Sequence, residues 1–326
     1  MIRFGVVGTN WITDQFIESA RKVSDFSLSA VYSRTEERAA EFAAKHGVSR
    51  TFTDLGTMAD SGEIDAVYIA SPNSLHAEQS ILFMNKGIHV LCEKPAASNA
   101  GQFRQMVEAA ASNHVLLMEA LKSTFLPNFV AIEQNLHKLG KVRRYFASYC
   151  QYSSRYDAYK QGNLPNAFNP QFSNGALMDL GIYCIYPMVA LFGVPDEVKA
   201  TGVMLDSGVD GEGSILLKYA DMEAVVLYSK ITESSLPSEI QGENGSMIIH
   251  KISQPQKVEI RMRDGTVEDI TQPQDPLTMR YEVEEFIRLI QSGRLESGVN
   301  THARSLAALE IMDEARRQMG LVFPAD

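Results

Sequence analysis

The sequence has few cysteines and fewer basic than acidic side chains. Its three cysteines, Cys92, Cys150 and Cys184, stand far apart in apolar runs. This spacing excludes a disulfide framework and a metal cluster, and it is typical of a reducing cytosol. Lysine and arginine number 30 against 40 acidic residues, a formal net charge of -10. Because nucleic-acid binding relies on a basic surface, this balance argues against a nucleic-acid partner.

Targeting and membrane signals are also absent from the sequence. The chain runs from Met1 directly into an apolar strand pattern over residues 2–7, without the leader of a secretory signal. No apolar run reaches the roughly 20 residues that cross a bilayer. We therefore expect a cytoplasmic protein with no membrane partner. A chain of 326 residues with 45% apolar side chains suggests about two domains with sizeable cores.

The first 118 residues alternate between strand and helix patterns. Helical patterns such as residues 36–46 and 75–86 end at Gly47 and Gly87. Strands separated by helices predict parallel βαβ units and a doubly wound α/β sheet. The strand-like runs lie at residues 2–7, 28–32, 51–52, 66–70, 89–92 and 115–118.

The pattern changes after Leu126, where strand-like runs follow one another with short turns. Such runs predict a largely antiparallel open sheet with helices on one face. We predict two domains, an α/β domain over residues 1–120 and an α+β domain over residues 121–326. The strand-like runs lie at residues 142–151, 198–205, 213–219, 223–231, 246–250 and 258–262, and the helical patterns at 175–192, 277–291 and 302–319.

A glycine-containing turn from Gly5 to Thr13 joins the first strand to the first helix. Dinucleotide folds bind the pyrophosphate at this place with backbone amides and a helix N-terminus. With Gly8 as the first glycine of the motif, Asn10 takes the second position and Thr13 the third. Asparagine tolerates positive φ, but it puts a side chain where the phosphate would approach. A plain βα turn is the alternative. The candidate cofactor residues here are Gly8, Thr9, Asn10, Trp11 and Ile12.

The end of the second strand carries Ser33-Arg34, with Arg38 one turn into the next helix. NAD-preferring folds usually place an acidic residue here, on the ribose hydroxyls. A hydroxyl and a guanidinium instead suit a 2′-phosphate, so we predict NADP(H) as cofactor, with NAD as the alternative. The competing interpretation is that Ser33 caps the helix and Arg34 is solvated.

Two further segments follow predicted strand ends. Ser71, Pro72, Asn73 and His76 follow the run at 66–70 and should lie beside the nicotinamide half of the cofactor, with His76 orienting the loop. Glu93-Lys94-Pro95 follows the run at 89–92. Ligands of open α/β sheets bind at the carboxyl ends of the strands, so this pair is a candidate site. A surface ion pair is the alternative.

Asp179 and Tyr183 are the candidates on the substrate side. They stand four residues apart in the apolar helical pattern at 175–192, and on a helix they share one face. An aspartate inside an apolar helix is costly to bury without a partner. The alternative is that Asp179 caps a neighbouring backbone while Tyr183 packs in the core.

Taken together, these motifs resemble the glucose–fructose oxidoreductase / inositol dehydrogenase (Gfo/Idh/MocA) family. The resemblance rests on Glu93-Lys94-Pro95, the preceding Pro-Asn-x-x-His loop and Asp-x-Gly-x-Tyr ending at Tyr183, and it covers nearly the whole chain. Tyrosine rather than histidine at 183 resembles the branch of dihydrodiol dehydrogenases and NADP-dependent D-xylose dehydrogenases. The resemblance implies a Rossmann domain, a substrate-binding and oligomerisation domain, and a homodimer or higher homo-oligomer.

The resemblance also implies an NAD(P)-dependent oxidoreductase that transfers hydride between nicotinamide and a sugar, polyol or cyclic diol. Tyr183 would act as general acid/base with Lys94 as its electrostatic tuner, because a neighbouring ammonium favours the phenolate. Asp179 would hold a substrate hydroxyl, and Glu93 would anchor the loop or bind the cofactor ribose. Lys122 departs from the family pattern and lies either near the pocket or at the surface. Residues 152–174 are expected to form a lid or pocket wall.

Two other classes of function remain open from the sequence. A catalytically silent, cofactor-binding sensor of the same fold is favoured by Asn10, whereas an acid/base pair favours an enzyme. A non-redox binding protein would not bind the cofactor at all.

Overall fold

The computed structural model describes all 326 residues, which form two compact units. The first comprises residues 1–122 and 275–305, and the second comprises residues 123–274 and 306–326. The sequence had placed everything after residue 120 in one domain. Residues 275–305 lie in the first unit instead, where the ring of Phe286 lies 5.8 Å from that of Phe4.

The chain contains fourteen strands and ten α-helices. The strands are β1 (Ile2–Val7), β2 (Phe26–Tyr32), β3 (Arg50–Phe52), β4 (Ala66–Ile69), β5 (His89–Glu93), β6 (Leu117–Ala120), β7 (Val142–Cys150), β8 (Glu197–Met204), β9 (Asp210–Lys218), β10 (Glu223–Ser229), β11 (Ser238–Gly242), β12 (Gly245–His250), β13 (Lys257–Met262) and β14 (Val267–Asp269). The helices are α1 (Trp11–Ala20), α2 (Glu36–His46), α3 (Leu55–Asp60), α4 (His76–Met84), α5 (Ala100–Ser112), α6 (Pro127–Asn135), α7 (Tyr156–Lys160), α8 (Ile182–Phe192), α9 (Arg280–Gln291) and α10 (His302–Met319).

The first unit is built on a six-stranded parallel sheet in the order β3-β2-β1-β4-β5-β6. This confirms the predicted doubly wound α/β fold. The chain order reverses between β1 and β4, and in such sheets the crevice at the carboxyl ends of these two strands is the ligand site. Aromatic rings fill the core beside it, with Phe16 of α1 stacked on Tyr68 of β4 at 3.7 Å.

The second unit is built on an eight-stranded sheet in the order β14-β13-β12-β11-β7-β10-β9-β8. Its pairings are antiparallel except for β10 with β7, so the predicted largely antiparallel sheet is confirmed. Strand β11 was not predicted because Ser238–Gly242 contains one apolar residue, Ile240, and therefore no apolar run.

One helical stretch, Pro170–Phe192, is long and apolar enough to cross a membrane by length and composition alone, with a mean hydropathy of 1.6 over its most apolar window. The expectation that no run reaches this length was therefore wrong. However, 72% of that window is buried inside the protein, as in the core helix of a globular fold.

This stretch has an irregular start that positions the substrate-side candidates. A π-helical segment, Leu177–Gly181, precedes α8. The buried carboxylate of Asp210 accepts hydrogen bonds from the amides of Ala176 (3.1 Å) and Leu177 (2.7 Å). Gly175 has φ +141°, and a Cβ there would lie 2.1 Å from Asp210 Oδ1. Asp179 thus stands in a π-helical turn, a feature often found at functional sites.

We predict that Gly175→Ala destabilises the protein by about 3 kcal/mol or more, because it adds both backbone strain and a clash with the buried cap. Gly47→Ala is the matched control. Gly47 has φ +69° with open space around it, so its alanine variant should lose only about 1 kcal/mol. Urea unfolding of both variants tests the difference, and equal losses would contradict the role given to Asp210.

Candidate functional site

Gly8 brings the ends of β1 and β4 close together in the first unit. Its φ is +107°, and a Cβ at this position would lie 2.5 Å from the carbonyl oxygen of Ala70. Any side chain would force the two strand ends apart. Glycine is therefore required here for the tight turn of the crevice.

Asn10 does not adopt the positive φ that its place in the glycine motif had suggested. Its φ is -114° and ψ is 177°, and it is the N-cap of α1. Its Oδ1 accepts hydrogen bonds from the amides of Ile12 (3.1 Å) and Thr13 (3.2 Å), and its Nδ2 donates to Ala70 O (2.8 Å). The side chain is thus folded over the first turn. The Trp11 amide at the helix start is not engaged by this cap, and it fits an incoming phosphate.

The loop after β4 is tied to the loop after β5 by a buried histidine. The Nε2 of His76 lies 2.8 Å from Ser71 O, and its Nδ1 lies 2.9 Å from Pro95 O. Burial lowers the pKa of His76, while the two carbonyl acceptors act in the opposite direction. Ser71 Oγ is buried without a hydrogen-bond partner, which fits a polar ligand or water at this place. Pro72 and Asn73 lie on the same loop, where Asn73–Leu75 forms a 3₁₀ turn.

A polar network joins the first turn to the end of β2. Arg38 donates to Thr9 O (2.9 Å) and Thr9 Oγ1 (3.4 Å), and it forms an ion pair with Glu41 at 2.9 Å. Ser33 Oγ lies 3.5 Å from Thr9 Oγ1. The structure therefore brings three of the predicted cofactor residues together, with Arg38 already paired.

Arg34 is exposed like Arg38 but has no hydrogen bond or ion pair. The cap of α2 is Thr35, whose hydroxyl accepts from the Arg38 amide. Ser33 is therefore not the cap, contrary to the alternative that the sequence had left open. An unpaired guanidinium beside a hydroxyl and without a carboxylate on the strand end fits a 2′-phosphate.

The Glu93 carboxylate is buried at the end of β5 and anchors the loop that carries Lys94. It accepts hydrogen bonds from the Tyr68 hydroxyl (2.5 Å) and from the Lys94 amide (3.3 Å). Burial raises its pKa, while Tyr68, Lys94 and Lys122 oppose that shift. Of the two roles open for Glu93, the structure thus gives direct contacts for anchoring the loop.

Glu119 supports the same loop from β6. Its carboxylate is buried, and Oε1 accepts a hydrogen bond from the Ala96 amide at 2.9 Å. The Lys94–Pro95 peptide bond, two residues before, is cis. Lys94 is therefore held between two anchored points, Glu93 and Ala96.

A third buried carboxylate, Glu282 of α9, lies near this loop. Its side chain is 0% exposed and neither carboxylate oxygen has a hydrogen-bond partner. Burial raises the pKa of Glu282 well above its usual range. The charge of Glu93 adds to the shift, and that of Lys122 opposes it. Lys122, which is half-buried, is thus an electrostatic neighbour of two buried carboxyl groups.

In the second unit, Asp179 forms an ion pair with Lys230, with Nζ and Oδ2 2.9 Å apart. At the start of this helical stretch, the amides of Ala176 and Leu177 donate to Asp210 rather than to Asp179. Tyr183 lies on α8, and its ring is 5.8 Å from that of Tyr149 in an edge-on contact. Asp179 and Tyr183 thus belong to one helical stretch of the second unit, and Lys94 belongs to the first.

Residues 152–174 contain the short helix α7 and a cluster of aromatic rings. Tyr156 and Tyr159 each contact Phe168, with ring centres 5.7 and 5.2 Å apart. Lys160 lies over the Tyr156 ring at 5.4 Å and pairs with Asp157 at 2.7 Å. This segment is therefore an ordered aromatic layer. The prediction that it forms a lid or pocket wall stays a prediction.

Four residues that shape these sites were not identified from the sequence: Tyr68, Glu119, Glu282 and Lys230. Tyr68 gave no signal, because an aromatic residue is ordinary in an apolar strand. For Glu282 the sequence does contain a signal, because this residue interrupts the apolar stripe of its helix three residues after Met279 and four before Phe286. The signal for Lys230 is weaker, namely a lysine near the end of a strand pattern.

Comparison with known proteins places both units in one family. Residues 2–121 match the family model described as the oxidoreductase family with an NAD-binding Rossmann fold, and residues 135–248 match the Gfo/Idh/MocA C-terminal domain. The chain is 59% identical over 326 residues to scyllo-inositol 2-dehydrogenase (NADP(+)) IolU of Bacillus subtilis (strain 168), covering 100% of this chain and 99% of that protein. It is 33% identical over 342 residues to trans-1,2-dihydrobenzene-1,2-diol dehydrogenase of Danio rerio, with 100% and 99% covered.

Solved structures share the fold. KijD10, a 3-ketoreductase from Actinomadura kijaniata in complex with NADP and TDP-benzene, superposes with a TM-score of 0.86 at 23% identity, covering 98% of each chain. Levoglucosan dehydrogenase in complex with NADH and levoglucosan superposes with a TM-score of 0.85 at 19% identity, covering 98% of this chain and 97% of that one. At these identities the likeness concerns the fold alone.

We predict that Glu282→Gln removes a pH dependence of stability. With a raised folded-state pKa, Glu282 contributes stability that is fully present below its unfolded pKa of about 4.3 and is lost as pH rises through the folded pKa. Glutamine is neutral throughout, so the variant should gain on the wild type as pH rises. Urea unfolding between about pH 5 and pH 8 measures this. A constant difference across that range would contradict the assigned shift.

Proposed function

Since this chain belongs to the Gfo/Idh/MocA oxidoreductase family, we propose that it interconverts a secondary hydroxyl of a cyclic polyol of the inositol class and the corresponding ketone, with NADP(H) as cofactor. The observation that carries the proposal is the full-length similarity to an NADP-dependent scyllo-inositol dehydrogenase. The similarity to a dihydrodiol dehydrogenase agrees with a cyclic substrate that carries neighbouring hydroxyls.

The first unit offers groups for each part of the dinucleotide. The pyrophosphate would lie at the turn from Gly8 to Ile12, and the 2′-phosphate at Ser33 and Arg34. The nicotinamide half would lie beside the loop of Ser71, Pro72, Asn73 and His76 and beside Glu93. When bound, the cofactor supplies the hydride acceptor or donor. NAD remains the alternative cofactor.

Residues of the chain transfer the proton of the substrate hydroxyl. Tyr183 takes the proton of the substrate hydroxyl during oxidation and returns it to the carbonyl oxygen during reduction. A free phenol with a pKa of about 10 is a poor base at neutral pH, so a neighbouring cation is needed to favour the phenolate. We assign that role to Lys94, whose loop is fixed at Glu93 and Ala96.

Asp179 orients the substrate through a second hydroxyl. A carboxylate is an acceptor for hydroxyl donors, and polyols carry such donors on adjacent carbons. The side chain of Asp179 is 40% exposed although it stands in an apolar helix. This exposure supports a binding role, because a purely structural ion pair gains nothing from an open face.

The sensor alternative loses its one supporting observation. Asn10 favoured it because a side chain was expected in the path of the phosphate. That side chain instead accepts hydrogen bonds from Ile12 and Thr13 at the helix start and donates one to Ala70, directly after β4. An enzyme is therefore the better reading of this site.

Cytoplasmic location and homo-oligomer formation remain predictions. For the oligomer, the supporting feature is the sheet face of β8 to β10 that carries Leu216, Val225 and Leu227, which line a groove of about 1090 Å³. Leu216 is 55% exposed. An isologous contact of two such faces would give a homodimer.

We predict that Arg34→Ala raises the KM for NADPH at least about tenfold and leaves the KM for NADH nearly unchanged, because it removes a charge-assisted bond to the 2′-phosphate alone. Arg38→Ala is the matched control. Arg38 holds the Thr9 carbonyl of the turn, so its loss should affect both cofactors alike. Steady-state kinetics with each cofactor measure this. Equal losses for NADPH and NADH in Arg34→Ala would contradict NADP selection at this residue.

We predict that Tyr183→Phe and Lys94→Ala each lower kcat for inositol oxidation by about a hundredfold or more, as expected for loss of general acid/base catalysis, while both still bind NADPH. Tyr149→Phe is the control, since it removes a hydroxyl that donates to Gln151 and keeps the ring beside Tyr183. Turnover assays and NADPH fluorescence titration measure the two effects. Near-normal kcat in Tyr183→Phe would refute the assignment.

A further inference from the structure

Lys230 is a buried lysine in the second unit, directly after β10. Its side chain is only 3% exposed, and its Nζ lies 2.9 Å from Asp179 Oδ2 and 3.2 Å from Ala167 O. The Nζ also lies 5.2 Å from the centre of the Phe168 ring. The ammonium is thus surrounded by a carboxylate, a carbonyl and an aromatic ring, all of which attract a cation.

The cost of burying this ammonium is large unless its partners are well placed. The backbone fixes the residue as well, because its amide donates to Gly211 O (2.8 Å) and its carbonyl accepts from the Ser153 amide (2.9 Å). A buried carboxylate, Asp210, lies near the same ammonium: burial raises the pKa of Asp210 to about 6, and the charge of Lys230 acts in the opposite direction. Because both the backbone and the ammonium of Lys230 are fixed, the groups that contact the ammonium are held in place as well.

The two members of the ion pair differ in exposure. Asp179 is 40% exposed, whereas Lys230 is 3% exposed. The Lys230 ammonium therefore binds the Asp179 carboxylate from the interior of the protein. Through Ala167, the same ammonium binds the segment of residues 152–174, so the π-helical turn and this segment share one buried cation.

We propose that Lys230 is a positioning residue for the reaction, which fixes the Asp179 carboxylate toward the substrate. The inference rests on the proposed role of Asp179 in holding a substrate hydroxyl. It adds a group that does not touch the substrate but determines the orientation and charge balance of one that does.

Lys230→Met tests this, because methionine keeps an unbranched side chain and removes the charge. We expect the KM for inositol to rise about tenfold or more with a smaller loss of kcat, and NADPH affinity to stay unchanged, since the proposed cofactor groups lie in the first unit. In an Asp179→Asn background, Lys230→Met should cause no further loss, because its effect passes through Asp179.

Lys138→Met is the matched control, since Lys138 forms a lysine–carboxylate pair with Glu268 at 2.6 Å in the same unit. It should leave both KM and kcat unchanged. If Lys230→Met does not fold, the double variant with Asp179→Asn removes both charges of the pair. It should fold and match Asp179→Asn alone in KM.

The outcomes separate the two proposals. Normal KM and kcat in Asp179→Asn would end the substrate-binding role of Asp179, and this inference with it. An impaired Asp179→Asn beside a normal Lys230→Met would overturn the inference alone. The same fold-change from Lys230→Met in both backgrounds would mean that Lys230 is merely structural, and so would a double variant that is further impaired than Asp179→Asn.

Discussion

The burial of the Glu93 carboxylate at the end of β5 is the constraint on which the arrangement around Lys94 depends. A buried carboxylate needs donors, and here they are the Tyr68 hydroxyl and the Lys94 amide. Each of these contacts also fixes the backbone that carries Lys94. The side chain that handles charge in the proposed reaction is therefore positioned by satisfying a carboxylate beside it, and Tyr68 acts from inside the sheet core, where it stacks on Phe16.

In the second unit a buried charged group again positions its neighbour, but the charges are exchanged. There the buried group is the ammonium of Lys230, and the partly exposed group is the carboxylate of Asp179. Asp210 is buried beside them at the helix start, where it accepts two amide hydrogen bonds. Glu93, Lys230 and Asp210 thus stand at ends of strands, where backbone donors and acceptors are available. In the middle of a strand or helix those donors and acceptors are already used.

The sequence was sufficient for what depends on local patterns. Alternating apolar runs predicted the parallel sheet, and the motif Glu93-Lys94-Pro95 predicted the family. It was insufficient wherever a role depends on a partner distant along the chain. Asn10 was expected at positive φ because its position in the motif is usually glycine, but its side chain found partners at Ile12, Thr13 and Ala70 that the motif does not encode. Lys230 could not be paired with Asp179, because the two residues stand 51 positions apart in the sequence.

Glu282 is an exception to the rule that buried polar groups have hydrogen-bond partners. Its carboxyl group is buried without a hydrogen-bond partner, and holding it neutral is less costly than ionising it in that place. A neutral carboxyl group close to Glu93 adds no second negative charge to the surroundings of Lys122. An ionised Glu282 would place its charge near Glu93, and that repulsion adds to the effect of burial in raising the pKa of Glu282. Two separate causes, desolvation and the neighbouring carboxyl group, thus disfavour the charged form of Glu282, and only Lys122 opposes them.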